Sequence, residues 1–293
     1  MAHRFCQTVI SGCVILAALV TLASPADSLA CERPRHLRFS VVPDGDVQTA
    51  LKNYQPILDD LQSSLGIPVE VFTPSSYGAV IEGLLSGSID VARLGPASYV
   101  SAKASDPDIT AFSTFAQKRG AFDDEGAFYY SLLVVRTETP FKTAEDLRGK
   151  TLALVDPDST SGNKIPRQLF SRVIGIPLER HFGRISYAGS HPLAAAALLQ
   201  GRVDAAFVSS ANLTTLVTEG KMHKEDVRVL WRSMPIPMDP FVYRGSFCRD
   251  VQDKIRAAFL DQRKSSATVL KSMNAIRFVP VRDRDYQVIK DLL

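Results

Sequence analysis

The sequence predicts an α/β protein of two similar lobes, each a largely parallel sheet flanked by helices. Three observations lead there. Apolar, β-prone runs alternate with amphipathic stretches at helical spacing, joined by short connections. The alternation occurs in two series that share one grammar: GLLSGSIDVARLG at 83–95 and ALLQGRVDAAFVS at 197–209. Third, about 260 residues remain after an N-terminal leader, enough for two domains of ordinary size.

In the first series, 37–43 (LRFSVVP) reads as a strand and 54–66 (YQPILDDLQSSLG) as an amphipathic helix stopped by Gly66. A strand at 68–73 (PVEVFT), a helix at 76–88 (SYGAVIEGLLSGS) and a short strand at 89–95 (IDVARLG) follow. The second series runs through a strand at 151–156 (TLALVD), a helix after Ile165, RISYAG at 184–189 and the helix PLAAAALLQG at 192–201. It ends with VDAAFVS at 203–209, a polar helix and VRVLWRS at 227–233. Short strand–helix connections imply parallel pairing with right-handed crossovers. The β-rich segments 129–137 (YYSLLVVRT) and 230–244 (LWRSMPIPMDPFVYR) bracket this series and are expected to cross between lobes. Residues 250–273 read as helices packing back on the first lobe. The expected organisation is a leader at 1–30, a first lobe at 31–135, a second at 136–235 and a return to the first at 236–293.

Arg4 precedes a mostly apolar stretch at 9–22, and small residues follow (Ala23, Ser24, Ala26, Ser28, Ala30). This is the layout of a secretory signal peptide, with an apolar core short for a membrane span. Ser28-Leu29-Ala30 fits a small-x-small cleavage site, which makes Cys31 the first mature residue of an exported, periplasmic chain. A Cys at that place also fits a lipid anchor, although Ser28 stands where a lipoprotein signal usually has Leu. Removing 1–30 takes one charge of each sign (Arg4, Asp27), so the mature chain keeps the net +3 of the whole sequence. Such balance, without basic runs, does not indicate a nucleic-acid partner. Cys31 and Cys248 are the mature cysteines; they can pair in an oxidising compartment, but spacing alone does not decide it. No Cys-x-x-Cys or His-x-x-x-His pair occurs, and His36, His181, His191 and His223 are scattered. No metal or other cofactor is expected.

The stretch 152–165 (LALVDPDSTSGNKI) carries the functional signal. An apolar strand stops at Asp156-Pro157, then come Ser159, Thr160, Ser161 and Gly162, then Pro166 and the helix-like RQLFSRVIG. The first helical turn has backbone N–H groups without intrahelical partners and about half a unit of positive charge, which suits an anion. Ser and Thr add hydroxyl donors, and Gly162 lets the backbone approach a ligand. Ordinary capping needs one hydroxyl; three in a row favour an anion site.

Seven motifs in order resemble the periplasmic phosphonate- and phosphite-type solute-binding proteins of ABC transporters. They are SYGAVIEGL from Ser76, IDVARLGPASYVSA from Ile89, YYS from Tyr129, DLRGKTLALVDPDSTSG from Asp146, YAGSH from Tyr187, VDAAFV from Val203 and PIPMDPFVYR from Pro235. The resemblance implies a type II periplasmic binding protein fold, two α/β lobes joined by two crossing strands, with ligand in the cleft and hinge closure. It implies a substrate-binding component of an ABC importer that takes phosphite, phosphate or a small phosphonate and meets a membrane permease. By matched position, Ser159, Thr160 and Ser161 would hold the oxyanion, and His191 would add a donor. Tyr77 would reach across the cleft, and Tyr99 with Tyr129 or Tyr130 would line the opposing wall. Asp158 reads as a helix-start residue.

One departure concerns the ligand's tail. Aminoalkyl-phosphonate binders of the family carry an acidic residue after the VDAA strand, where this chain has Ser209 and Ser210. With Ser209 as the tail contact, the expectation is an uncharged tail, because a buried cation without a counter-charge is costly. An enzyme is not expected: no Gly-x-Ser-x-Gly elbow occurs, and Ser159 has no His partner evident in the sequence. The other alternative is a periplasmic oxyanion or arsenite sensor subunit signalling to a membrane histidine kinase. Arsenite would call for a cleft thiol, for which Cys248 is ill placed.

Overall fold

Leu37, Phe39 and Val41 share one face of β1 (Leu37–Val41), and Leu51, Tyr54, Ile57, Leu58 and Leu61 of α1 (Val47–Leu65) cover them. That packing sets the pattern of the first lobe. The computed structural model describes residue 1 and residues 31–293, apart from 44, 46 and 262; the predicted leader's apolar core and cleavage site lie outside the described residues. From α1 the chain runs through β2 (Val69–Val71), α2 (Tyr77–Ser86), β3 (Val91–Arg93), α3 (Pro96–Ser105) and β4 (Thr110–Gln117). Then β5 (Phe128–Tyr129) leads to β6 (Ser131–Arg136) and β7 (Thr151–Leu154). Wide helical turns at Thr160–Lys164 and Pro166–Phe170 continue into α4 (Ser171–Ile174), followed by α5 (Leu178–His181), β8 (Arg184–Tyr187) and α6 (His191–Leu199). Next come β9 (Ala205–Ser209), α7 (Ser210–Thr218), β10 (Val227–Arg232), β11 (Ile236–Pro237) and β12 (Phe241–Tyr243). The chain closes through α8 (Arg249–Leu260), α9 (Lys264–Ser272) and β13 (Ala275–Pro280).

The strands form two main sheets, β13-β4-β12-β3-β1-β2 and β10-β6-β9-β7-β8. A two-stranded ribbon, β5 with β11, pairs Tyr129 with Ile236 and Phe128 with Pro237. This is a two-lobe binding-protein architecture with crossing strands. Each sheet is mixed rather than parallel throughout. β1, β2 and β3 are parallel, as are β7, β8 and β9; β12 and β13 run against the first set and β6 against the second, while β4 and β10 run with their sheets' parallel strands but pair only with reversed ones. The reversed strands are those that leave the crossing ribbon, β6 and β12, and β13, which returns near the C-terminus.

Alternation along β7 shows why the second lobe needs two layers of helix. Leu152 and Leu154 pack with Phe170, Leu178 and Phe207, whereas Ala153 and Val155 pack with Ala194, Leu198 and Leu213. Both faces are buried, so the strand reads as a continuous apolar run. In the first lobe α1 starts seven residues before the apolar pattern does and carries Pro56 inside it. Pro56 forfeits one helix hydrogen bond, and the buried face over Leu51–Leu61 outweighs that loss.

Cys31 and Cys248 form a disulfide across a sequence separation of 217 residues. The Cys31 sulfur is therefore bonded to Cys248 and not open to a thioether, which corrects the lipid-anchor expectation. Backbone bonds flank the bridge: Glu32 N donates to Ser246 O at 2.7 Å and Cys248 N to Glu32 O at 3.0 Å. Beside it Arg244 pairs with Glu32 (2.8 Å) and with the fully buried Asp90 (2.9 Å), which Arg38 also holds (3.0 Å).

Candidate functional site: a cleft at the strand ends

The wide helical turn after β7 is shaped by two residues. Pro166 has no N–H, so the carbonyl of Gly162 lacks its ordinary helical donor and instead accepts from Val155 N at 3.2 Å. The bonds Lys164 N to Ser159 O and Ile165 N to Thr160 O span five residues, a widening that recurs at functional sites. Gly162 is required for this closeness: a Cβ there would stand 2.3 Å from Val155 Cγ2. Gly162→Ala is expected to lower stability by about 1–3 kcal/mol through overpacking. Thermal unfolding reads this as a lower midpoint; an unchanged midpoint would contradict the contact.

The three hydroxyls do different work. Ser159 is the cap, its Oγ accepting from Gly162 N at 3.1 Å. Thr160 Oγ1 accepts from Ala97 N at 2.9 Å, at the start of α3 in the other lobe, so its O–H remains to donate. A Cβ on Gly95 would lie 3.1 Å from that oxygen, so Gly95 keeps the approach open. Ser161 stands behind, its Oγ 3.3 Å from His191 Nε2 and its carbonyl accepting from Ser131 Oγ at 2.6 Å. All three are buried. Two helix starts from two lobes thus meet at Thr160. Asp158 is on the rim, 3.5 Å from Lys164 Nζ, with its carbonyl accepting from Ser98 Oγ at 2.9 Å.

His191 opens α6 behind the N-cap Ser190. Ser209 N can only donate, and it lies 3.1 Å from His191 Nδ1, so Nδ1 is the acceptor and the proton sits on Nε2. That N–H faces Ser161 Oγ (3.3 Å) and Ser159 Oγ (3.5 Å). Ser209 also caps α7, its Oγ accepting from Asn212 N at 3.3 Å. It is thus a cleft-wall residue that positions His191.

A cavity of about 320 Å³ gathers Tyr77, Tyr129, Ser159, Thr160, His191 and Ser209 in its wall. Tyr77 opens α2 after β2, Tyr129 lies on the crossing strand β5, Ser159 and Thr160 follow β7, His191 follows β8 and Ser209 ends β9; open α/β sheets bind ligands at such carboxyl ends of strands. Tyr129, not Tyr130, faces the cavity. Burial and the nearby Asp239 charge hold its phenol well above the usual tyrosine range, so it stays a neutral donor. Tyr130 turns away: its hydroxyl donates to Asp124 at 3.0 Å, and Arg232 stacks 3.4 Å over its ring. Tyr99 does not line the cavity. It points into first-lobe packing, donating to Asp283 at 3.0 Å with its ring edge against Tyr286. Arg93, Asp123 and Asp239 also line the cavity. Sequence reasoning passed over them; the one usable signal was Arg93, a charge interrupting the apolar end of a strand.

A profile described as "ABC transporter, phosphonate, periplasmic substrate-binding protein" matches residues 39–286. The chain is 31% identical over 252 residues to the phosphonates-binding periplasmic protein of Escherichia coli K12, covering 85% of this chain and 72% of that protein. Among solved structures it resembles a binding protein component of an ABC phosphonate transporter from Pseudomonas aeruginosa, with TM-score 0.79, 22% identity and coverage of 89% and 86%. It also resembles PhnD1 of Prochlorococcus marinus, solved with methylphosphonate, with TM-score 0.77, 19% identity and coverage of 89% and 97%.

Proposed function

Because the chain belongs to the family of periplasmic substrate-binding proteins of phosphonate ABC transporters, we propose that its interlobe cavity captures a small phosphorus oxyanion for delivery to a membrane permease. Phosphite, phosphate and small phosphonates share the required chemistry: tetrahedral phosphorus with anionic oxygens. The observation that supports this reading is the meeting, at Thr160, of two helix starts with Ser159 and the Nε2–H of His191 nearby. All supply N–H or O–H groups, and such an array accepts charge without proton transfer. Tyr129 and Tyr77 extend it with phenols in the same wall. Its relatives bind rather than transform their substrates, and this chain is not an enzyme. A sensor role for arsenite has less support, because Cys31 and Cys248 are joined and leave no free thiol among the described residues.

The test is a thermal-shift and calorimetric panel of methylphosphonate, phosphite, phosphate and sulfate. A ligand that binds only the folded state stabilises it by about 2.7 kcal/mol at a hundredfold excess over Kd. At least one phosphorus anion is expected to raise the midpoint clearly. No response to any of them would overturn the reading.

A further inference from the structure

Four side chains outside the described cavity wall, Asn163, Arg167, Glu179 and Tyr187, join into one polar brace on the anion-binding turn. Asn163 is buried in the wide turn Thr160–Lys164 and closes the segment that carries the three hydroxyls. Its Nδ2 donates to Pro157 O at 2.7 Å, with Ser159, Thr160 and Ser161 lying between the two ends. Arg167, in the next wide turn, fixes which way that amide points. A guanidinium can only donate, so the atom 2.8 Å from Arg167 Nε is Oδ1, and Nδ2 is left for Pro157. The same guanidinium donates from Nη2 to the Tyr187 hydroxyl oxygen at 3.1 Å and pairs through Nη1 with Glu179 of α5. Tyr187 in turn directs its O–H to Asn163 Oδ1 at 3.2 Å. Arg167, Asn163 and Tyr187 thus close a triangle of hydrogen bonds with one consistent set of donors.

The triangle ties together the two segments that carry the anion donors. Tyr187 ends β8 and stands opposite Leu154 of β7 in the parallel register. From there Ala188 N donates to Leu154 O at 2.9 Å and Gly189 N to Val155 O at 2.7 Å, and His191 follows. Asn163 belongs to the other segment, that of Ser159 and Thr160. His191 Nε2, 3.3 Å from Ser161 Oγ, links the two segments at the cavity, and the triangle links them outside it. The turn needs such support, because its five-residue hydrogen bonds and Pro166 deny it ordinary α-helical closure. A turn free to flex would give up that freedom on binding, so a brace that removes it beforehand raises affinity without touching the ligand.

We propose that Arg167 is a positioning residue for the anion site: by fixing the Asn163 amide and the Tyr187 hydroxyl together, it presets the Ser159–Thr160 turn against His191. The proposal rests on the oxyanion reading above. Arg167 acts through its fork and not through its charge. Glu179 already pairs with the charge, whereas a lysine ammonium cannot reproduce the planar spread over Asn163, Tyr187 and Glu179.

The experiment measures, by calorimetry, how wild type, Arg167→Lys and Arg167→Ala bind whichever of methylphosphonate, phosphite and phosphate the wild type holds most tightly. Each variant is expected to bind about three- to tenfold more weakly, the worth of roughly one hydrogen bond lost from the brace. Arg167 is only half-buried, so the space left in Arg167→Ala opens to solvent. Methylguanidinium added there is expected to recover most of the lost affinity and to leave the wild type unchanged, whereas methylammonium recovers none. Wild-type affinity in Arg167→Lys would overturn the proposal, because charge alone would then suffice; this outcome can be read even if Arg167→Ala does not fold. So would unchanged affinity in a folded Arg167→Ala, equal recovery with both added cations, or recovery with neither. If none of the three anions binds the wild type, it is the oxyanion reading that fails, and this proposal falls with it.

Discussion

Thr160→Ala weakens phosphonate binding by about tenfold to a hundredfold, because a hydrogen bond to a charged group is worth about 1.5–3 kcal/mol. Two losses combine in this substitution. The anion loses an O–H donor, and Ala97 N at the start of α3 loses the acceptor that Thr160 Oγ1 provides at 2.9 Å. The second loss gives the residue a signature of its own. Ser159→Ala removes a hydroxyl that caps its own helix through Gly162 N, so it should reduce both affinity and stability. Thr160→Ala should act on affinity with a smaller change in the unfolding midpoint. Calorimetry on both variants, with unfolding scans beside it, separates the two. Unchanged affinity in both would remove the hydroxyl run from the binding site.

Cys31→Ser lowers stability by about 2–5 kcal/mol, the usual cost of deleting a native disulfide. The bridge closes a span of 217 residues, so most of the described chain is constrained in its unfolded ensemble. For a chain of this size each kcal/mol shifts the midpoint by about 2–4 °C, and the variant should melt several degrees lower. A reductant added to the wild-type protein should reproduce the shift, and adding it to the variant should do nothing further. An unchanged midpoint in Cys31→Ser would show that the Glu32–Ser246 and Arg244–Glu32 contacts hold the segment at Cys31–Glu32 unaided.

How much was readable without coordinates depended on whether the signal was local. The runs at 151–156, 192–201 and 203–209 became β7, α6 and β9 because each is a nearly unbroken apolar stretch bounded by polar residues, Gly or Pro, a signal carried within the segment itself. Ser159 and Thr160 stood out as hydroxyls at a helix start and His191 through the motif resemblance, and the structure brings the three into one cavity wall. β4 and β13 were not singled out. Their polar residues, Thr110, Ser113, Thr114 and Gln117 in β4 and Arg277 in β13, interrupt the apolar pattern, and their partners lie far away in sequence. Tyr99 misled because a tyrosine after Gly-Pro looks the same whether its ring turns to the cleft or to Tyr286. Asp123 was invisible for the opposite reason: in RGAFDDEGAF it is one acid among three in a polar loop, and only tertiary packing buries it.

The bonds Ala97–Thr160 and Ser98–Asp158 are made by protein atoms alone, so on a hinge closure such as the resemblance implies they would favour the shut arrangement whether or not cargo is inside. At about 0.5–1.5 kcal/mol each, the two together shift the open–shut equilibrium by roughly five- to 150-fold. Part of the protein population would then be preorganised, and ligand capture would proceed by selecting that fraction as well as by drawing the lobes together. The same bias would carry a kinetic penalty at the membrane. A shut but empty molecule would present a transporter with nearly the outline of a loaded one and would occupy it unproductively. Weakening these two bonds should therefore lower apparent ligand affinity while reducing idle competition for the permease.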